Sequence, residues 1–81
     1  MKATVLVRPK AGILDPQGEA VQTSLRHLGF EVAEARVGRV IDLEVAETDA
    51  VRARERVDAM CRQLLTNPLI ESYEIELQGD A

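Results

Sequence analysis

The chain has 81 residues, with fourteen acidic and ten basic side chains for a net charge of −4, one cysteine, one tyrosine, one phenylalanine and no tryptophan. That balance repels a phosphate backbone, and two aromatic rings build no stacking platform, so the composition speaks against nucleic acid as a partner. A lone thiol allows no internal disulfide, which points to a reducing cytoplasm, and the apolar run at residues 5–7 is too short for a leader peptide or a membrane span.

A chain of this length is expected to form one domain, residues 1–81, with no linker, repeat or low-complexity stretch. Cores of this size typically supply only about 3 to 5 kcal/mol, so stability from a further subunit is expected. Residues 2–8 alternate, with Ala3, Val5 and Val7 on one side and Lys2, Thr4 and Arg8 on the other, which predicts a strand with one buried face. After a loop, Asp15 can cap a helix that Pro16 opens, running over residues 16–28 with an apolar stripe of Val21, Leu25 and Leu28 and a left-handed stop at Gly29. Alternation returns twice, as Ala33, Ala35, Val37 and then Ile41, Leu43, Val45, separated by Gly38-Arg39. This predicts a β-hairpin in which Gly38 takes a positive φ, Arg36 lies on the polar sheet face and Arg39 projects from the tip.

Thr48 is placed to cap a second helix striped by Ala50, Ala53, Val57, Met60 or Cys61, and Leu64, with Arg54, Asp58 and Arg62 opposite. Asn67-Pro68 stops it, because the residue before proline is pushed out of the helical region. Residues 70–77 alternate once more, Tyr73, Ile75 and Leu77 against Ser72, Glu74 and Glu76. The order β-α-β-β-α-β predicts an α/β (α+β) fold of the ferredoxin-like kind, a four-stranded antiparallel sheet with both helices on one face.

Few residues carry chemistry. His27 has no second histidine or nearby cysteine to complete a metal shell, so it reads as an ordinary helix residue. Cys61 sits on an apolar stripe, where cysteine behaves as a small hydrophobe. No Cys-x-x-Cys, dinucleotide or P-loop glycine pattern is present. Glu71, Glu74 and Glu76 read as a solvated strand face. The stretch from Arg8 to Gly18 holds two basic residues, two glycines and two prolines ahead of a helix start. An anion could be drawn to that start, but Asp15 places its own charge there and Pro16 removes a donor, so a specialised turn or a protein contact is the better reading. Lys10, Asp15, Pro16 and Gly18 are therefore candidate interface residues. Arg36, Gly38 and Arg39 join them, since arginine is favoured at interface hot spots, although a plain exposed turn explains Gly38-Arg39 equally well.

Three stretches, Leu14-Asp15-Pro16-Gln17-Gly18-Glu19-Ala20-Val21, Arg36-Val37-Gly38-Arg39 and Cys61-Arg62-Gln63-Leu64-Leu65-Thr66-Asn67-Pro68-Leu69-Ile70-Glu71-Ser72-Tyr73, resemble the PurS family. This is the small subunit of bacterial three-component phosphoribosylformylglycinamidine synthase, of purine biosynthesis. The family usually has lysine at Arg39 and a larger apolar residue at Ala35. The resemblance implies a non-catalytic, homo-oligomeric accessory subunit of ferredoxin-like topology. It would bridge a large ATP-dependent synthetase subunit and a glutaminase subunit and support ammonia transfer between them. It further implies no cofactor in this chain, with ATP and magnesium on the large subunit. A regulatory amino-acid-binding (ACT-like) domain shares the predicted element order but has no reason to carry the second and third stretches. An acylphosphatase-like hydrolase would need a positioned asparagine beside an anion cradle, and the lone Asn67 stands instead at a helix end.

Overall fold

The computed structural model describes residues 1–78. Strand β1 (Lys2–Pro9) leads through a loop to helix α1 (Pro16–His27). Strand β2 (Arg39–Glu44) follows, then helix α2 (Ala50–Met60), which widens into a π-helical turn (Cys61–Leu65), and strand β3 (Glu71–Gln78). The sheet has three strands in the order β2-β1-β3, both pairs antiparallel.

The register explains the core. Ala3 stands between Leu43 and Leu77, Val5 between Ile41 and Ile75, and Val7 between Arg39 and Tyr73, so the inward residues of β1 are flanked on both sides. They are at most 2% exposed, and Ala53 and Val57 of α2 and Cys61 at the start of the π-helical turn cover them. The opposite face is mostly polar, with Thr4 Oγ1 donating to Asp42 (2.9 Å) and Arg8 beside Glu74 (3.5 Å), but Leu6 pairs there with Val40, which is 60% exposed.

Two parts of the predicted ferredoxin-like arrangement are corrected. Residues 32–38 form no strand, so the sheet has three strands rather than four. Their backbone groups are taken by side chains of the first helical segment instead. Val37 N–H donates to Asp15 Oδ2 (2.8 Å), while Arg26 donates to the carbonyls of Val32 and Ala33 (3.0 and 3.3 Å). The second correction concerns α1, which lies along this return segment and leaves α2 to cover the sheet. Of α1 only Gly18 is buried; Val21 is 42% and Leu28 73% exposed. The molecule measures 48 × 30 × 14 Å with a radius of gyration of 15.9 Å, against about 12 Å for a compact chain of this length.

The helix ends follow local chemistry. Asp15 Oδ1 accepts from Gly18 N–H (3.0 Å), and Gly29 (φ 93°) ends α1 in the left-handed conformation. The cap of α2 is Asp49, which accepts from Val51 N–H (2.9 Å); Thr48 lies one residue too early and donates its amide to Glu47. The π-helical turn rotates the end of the predicted stripe, so Cys61 is buried while Leu64 is 83% exposed. Thr66 closes it, its N–H and Oγ1 both donating to the Cys61 carbonyl (3.0 and 2.8 Å).

Candidate functional site

The candidate residues from the β1–α1 loop and from residues 36–39 converge at one end of the sheet. Ile13 N–H donates to the Lys10 carbonyl (3.2 Å) across a turn in which Gly12 takes φ 81°, the position where a positive φ favours glycine. Lys10 then ties this loop to the one before β3, its N–H reaching the Ile70 carbonyl (2.9 Å) and its Nζ the Pro68 carbonyl (2.6 Å).

Asp15 sits between α1 and the return segment, each oxygen accepting one backbone N–H, with Arg36 Nε 3.9 Å away. The bonds from Val37 and then Gly18, with Arg36 nearby, hold its carboxyl below the usual range. Pro16, exposed, opens the helix. Gly18 is required by a close approach, because a Cβ there would stand 2.4 Å from the Ala35 carbonyl oxygen. Gly38 is required for the same kind of reason, and its φ is not positive as a hairpin tip would demand: a Cβ would lie 2.1 Å from the Val7 carbonyl oxygen.

The two arginines act as staples. Arg36 donates to the Lys10 carbonyl (2.9 Å) and to Glu34 (3.2 Å). Arg39 clasps Glu71 with both terminal nitrogens and also donates to the Leu65 carbonyl (2.5 Å). Glu71 in turn accepts from Asn67 N–H (2.7 Å), and its side chain is only 17% exposed. The Arg39 hydrogen bond, then that of Asn67, depresses the Glu71 pKa. Sequence reasoning grouped Glu71 with the solvated Glu74 and Glu76. Its odd number, in phase with the inward Tyr73, Ile75 and Leu77, is the signal that separates it.

A hollow of about 320 Å³ lies between these groups, with Pro9, Ile13, Leu14, Val37 and Ile70 in its wall and the Arg39–Glu71 pair at its edge. The carboxylates here are held ionised by their partners, which suits them to fix geometry and poorly to shuttle protons near neutral pH. Elsewhere, His27 is exposed at the end of α1, and no group of three or more histidine, cysteine or acidic side chains could hold a metal among the described residues. No helix among them is long and apolar enough to cross a membrane.

A family model described as PurS: Phosphoribosylformylglycinamidine (FGAM) synthase matches residues 2–79. The chain is 38% identical over 78 residues to phosphoribosylformylglycinamidine synthase subunit PurS of Methanocaldococcus jannaschii, covering 95% of this chain and 94% of that one. It is 37% identical to the same subunit of Bacillus subtilis, covering 95% and 92%. The crystal structure of Methanocaldococcus jannaschii PurS superimposes with a TM-score of 0.86 over 99% of this chain and 98% of that one. A chain in the structure of PurLQS from Thermotoga maritima does so at 0.84, with 36% identity and 93% of both chains covered.

Proposed function

The chain belongs to the PurS family, subunits of the FGAM synthase of purine biosynthesis, and from that premise we propose that it is a non-catalytic docking subunit that joins a glutaminase to an ATP-dependent synthetase. Ammonia freed into water near neutral pH becomes mostly ammonium, which is no nucleophile, so the sites that make and use it must be held together. ATP, magnesium and glutamine would bind the other subunits. The family match supports this reading over the regulatory one, and the observation that carries it is the convergence of Lys10, Asp15, Pro16, Gly18, Arg36, Gly38 and Arg39 on one rigid end. Those residues shape that end as the contact surface, the arginines mainly by fixing its loops. A second copy of the chain would cover the open α1 stripe, Val21, Leu25 and Leu28, with Phe30 (60% exposed) beside it. In a reconstituted mixture, omitting the chain should abolish most glutamine-dependent FGAM synthesis and spare most synthesis driven by added ammonia. Equal glutamine-dependent rates with and without it would overturn the docking role.

A further inference from the structure

The two outer edges of the sheet are finished differently. At β3 the Ile75 carbonyl points outward and Arg54 of α2 donates to it (3.2 Å), so a side chain occupies that edge. At β2 no strand lies beyond the edge among the described residues. Met1 and Val45 bond each other through both backbone groups (2.8 Å each). In the alternating pattern of an antiparallel pair, Ile41 and Leu43 therefore face β1 as well, and Val40, Asp42 and Glu44 turn their N–H and C=O groups to the open side. The strand expected to cover them, residues 32–38, is the segment held against α1 by Asp15 and Arg26. An open edge is a template for a further strand, and this one carries no proline to blunt it. Beside it Val40, 60% exposed, pairs with Leu6 in an apolar spot on the outer face.

We propose that the edge of β2 pairs antiparallel with β2 of a second copy, the two-fold axis passing at Val40, so that the two three-stranded sheets become one. The contact lies apart from the α1 stripe and does not depend on the docking role proposed above. Opposed residues must share a face, so the axis falls on a residue and not between two. On Asp42 it would set the two Asp42 carboxylates against each other, and like charges directly opposite destabilise a pair. On Ile41 it would set Val40 against Asp42. On Val40 it joins Leu6, Val40 and their counterparts into one apolar row across the outer face, and it leads Glu44 towards the copy's Arg36, of opposite charge. The occupant is a second copy because the edge is its own complement in this register.

The test uses the full chain. In sedimentation at micromolar concentration, Val40→Lys should weaken one step of self-association by about tenfold or more, with a circular dichroism spectrum like that of wild type. Val40→Cys should cross-link to its copy under mild oxidation, because Cα atoms about 5.5 Å apart across such a pair suit a disulfide. Asp42→Cys should not, since its two copies would lie about 14 Å apart, two residues along each strand. Cys61 is buried and stays out of the exchange. A wild-type chain that remains monomeric overturns the pairing, as does self-association unchanged by Val40→Lys. Cross-linking of Asp42→Cys as fast as that of Val40→Cys overturns it too. If Val40→Lys fails to fold, the two cysteine variants decide the matter by the same comparison.

Discussion

Gly38→Ala is the sharpest probe of the packing described above. The added methyl would lie 2.1 Å from the Val7 carbonyl oxygen and 3.3 Å from the Arg8 Cα, and both neighbours are backbone. Relief needs a movement on the order of 1 Å, since ordinary contact begins near 3.4 Å. Neither side can give freely, because Val7 pairs with Arg39 on one flank and Tyr73 on the other. Overpacking of this kind costs about 1 to 3 kcal/mol, and a strained ladder bond at the Val7–Arg39 pair adds roughly 0.5 to 1.5. A loss of about 2 to 4 kcal/mol is most of the roughly 3 to 5 kcal/mol that a core of this size supplies, and corresponds to a melting temperature lower by about 10 to 30 °C. Thermal unfolding followed by circular dichroism at one fixed protein concentration measures it, the concentration being held because association shifts the midpoint. Gly12→Ala is the internal comparison. Its φ of 81° is unfavourable for alanine, yet nothing lies within 4 Å of the new Cβ, so its loss should be about 1 kcal/mol. If Gly38→Ala melts within about 3 °C of wild type, or no lower than Gly12→Ala, the close approach is not the reason for glycine.

Acid should destabilise the chain through Glu71, Asp15 and Glu47, whose pKa values are all lowered by hydrogen bonds to the charged form. A depressed folded-state value means stabilisation that is complete above the unfolded pKa and lost as pH falls through the folded one. Urea midpoints should therefore hold near neutral pH and decline below about 4.5, the ordinary glutamate value, and Glu71→Gln should lower the neutral midpoint and flatten part of that decline. An identical acid profile in the variant would show that the clasp with Arg39 contributes nothing. Burial, then the charge of Asp58, pushes the Cys61 thiol above its ordinary value, so the native chain at pH 7.5 should react with a thiol reagent far more slowly than the urea-unfolded chain. Equal rates would place Cys61 outside the core.

Periodicity carried most of the elements. Strands β1 and β3 and helix α2 lie within a few residues of their expected bounds because each has one buried face, and α1 does so because Asp15 and Gly29 fix its two ends although its apolar stripe stays open. The missing strand is instructive. Ala33, Ala35 and Val37 alternate as a strand would, but alternation reports only that a segment is extended with one face covered, whatever its hydrogen bonds go to. Here they go to Asp15 and Arg26, polar side chains that any exposed helix could carry. The clue was Gly18, a residue that costs about 1 kcal/mol inside a helix and so marks a backbone passing close by. At the candidate site the residues of both loops were legible, while their bonding was not. The predicted hairpin puts Arg36 on the polar sheet face and Arg39 at its tip, and because that hairpin is absent they reach back to loop carbonyls and to Glu71.

Asp15 also limits which sequences can spell this fold. Asparagine is as good a helix cap as aspartate in general. At position 15, however, both side-chain oxygens accept backbone N–H groups, one from the helix it starts and one from the approach to β2. An asparagine offers one acceptor oxygen and would point its NH₂ at another donor; serine and threonine offer a single, shorter hydroxyl. The two carboxylate oxygens thus join the start of α1 to the chain 22 residues later, as a hinge pin joins two leaves, and the usual synonyms for a helix cap are not interchangeable there.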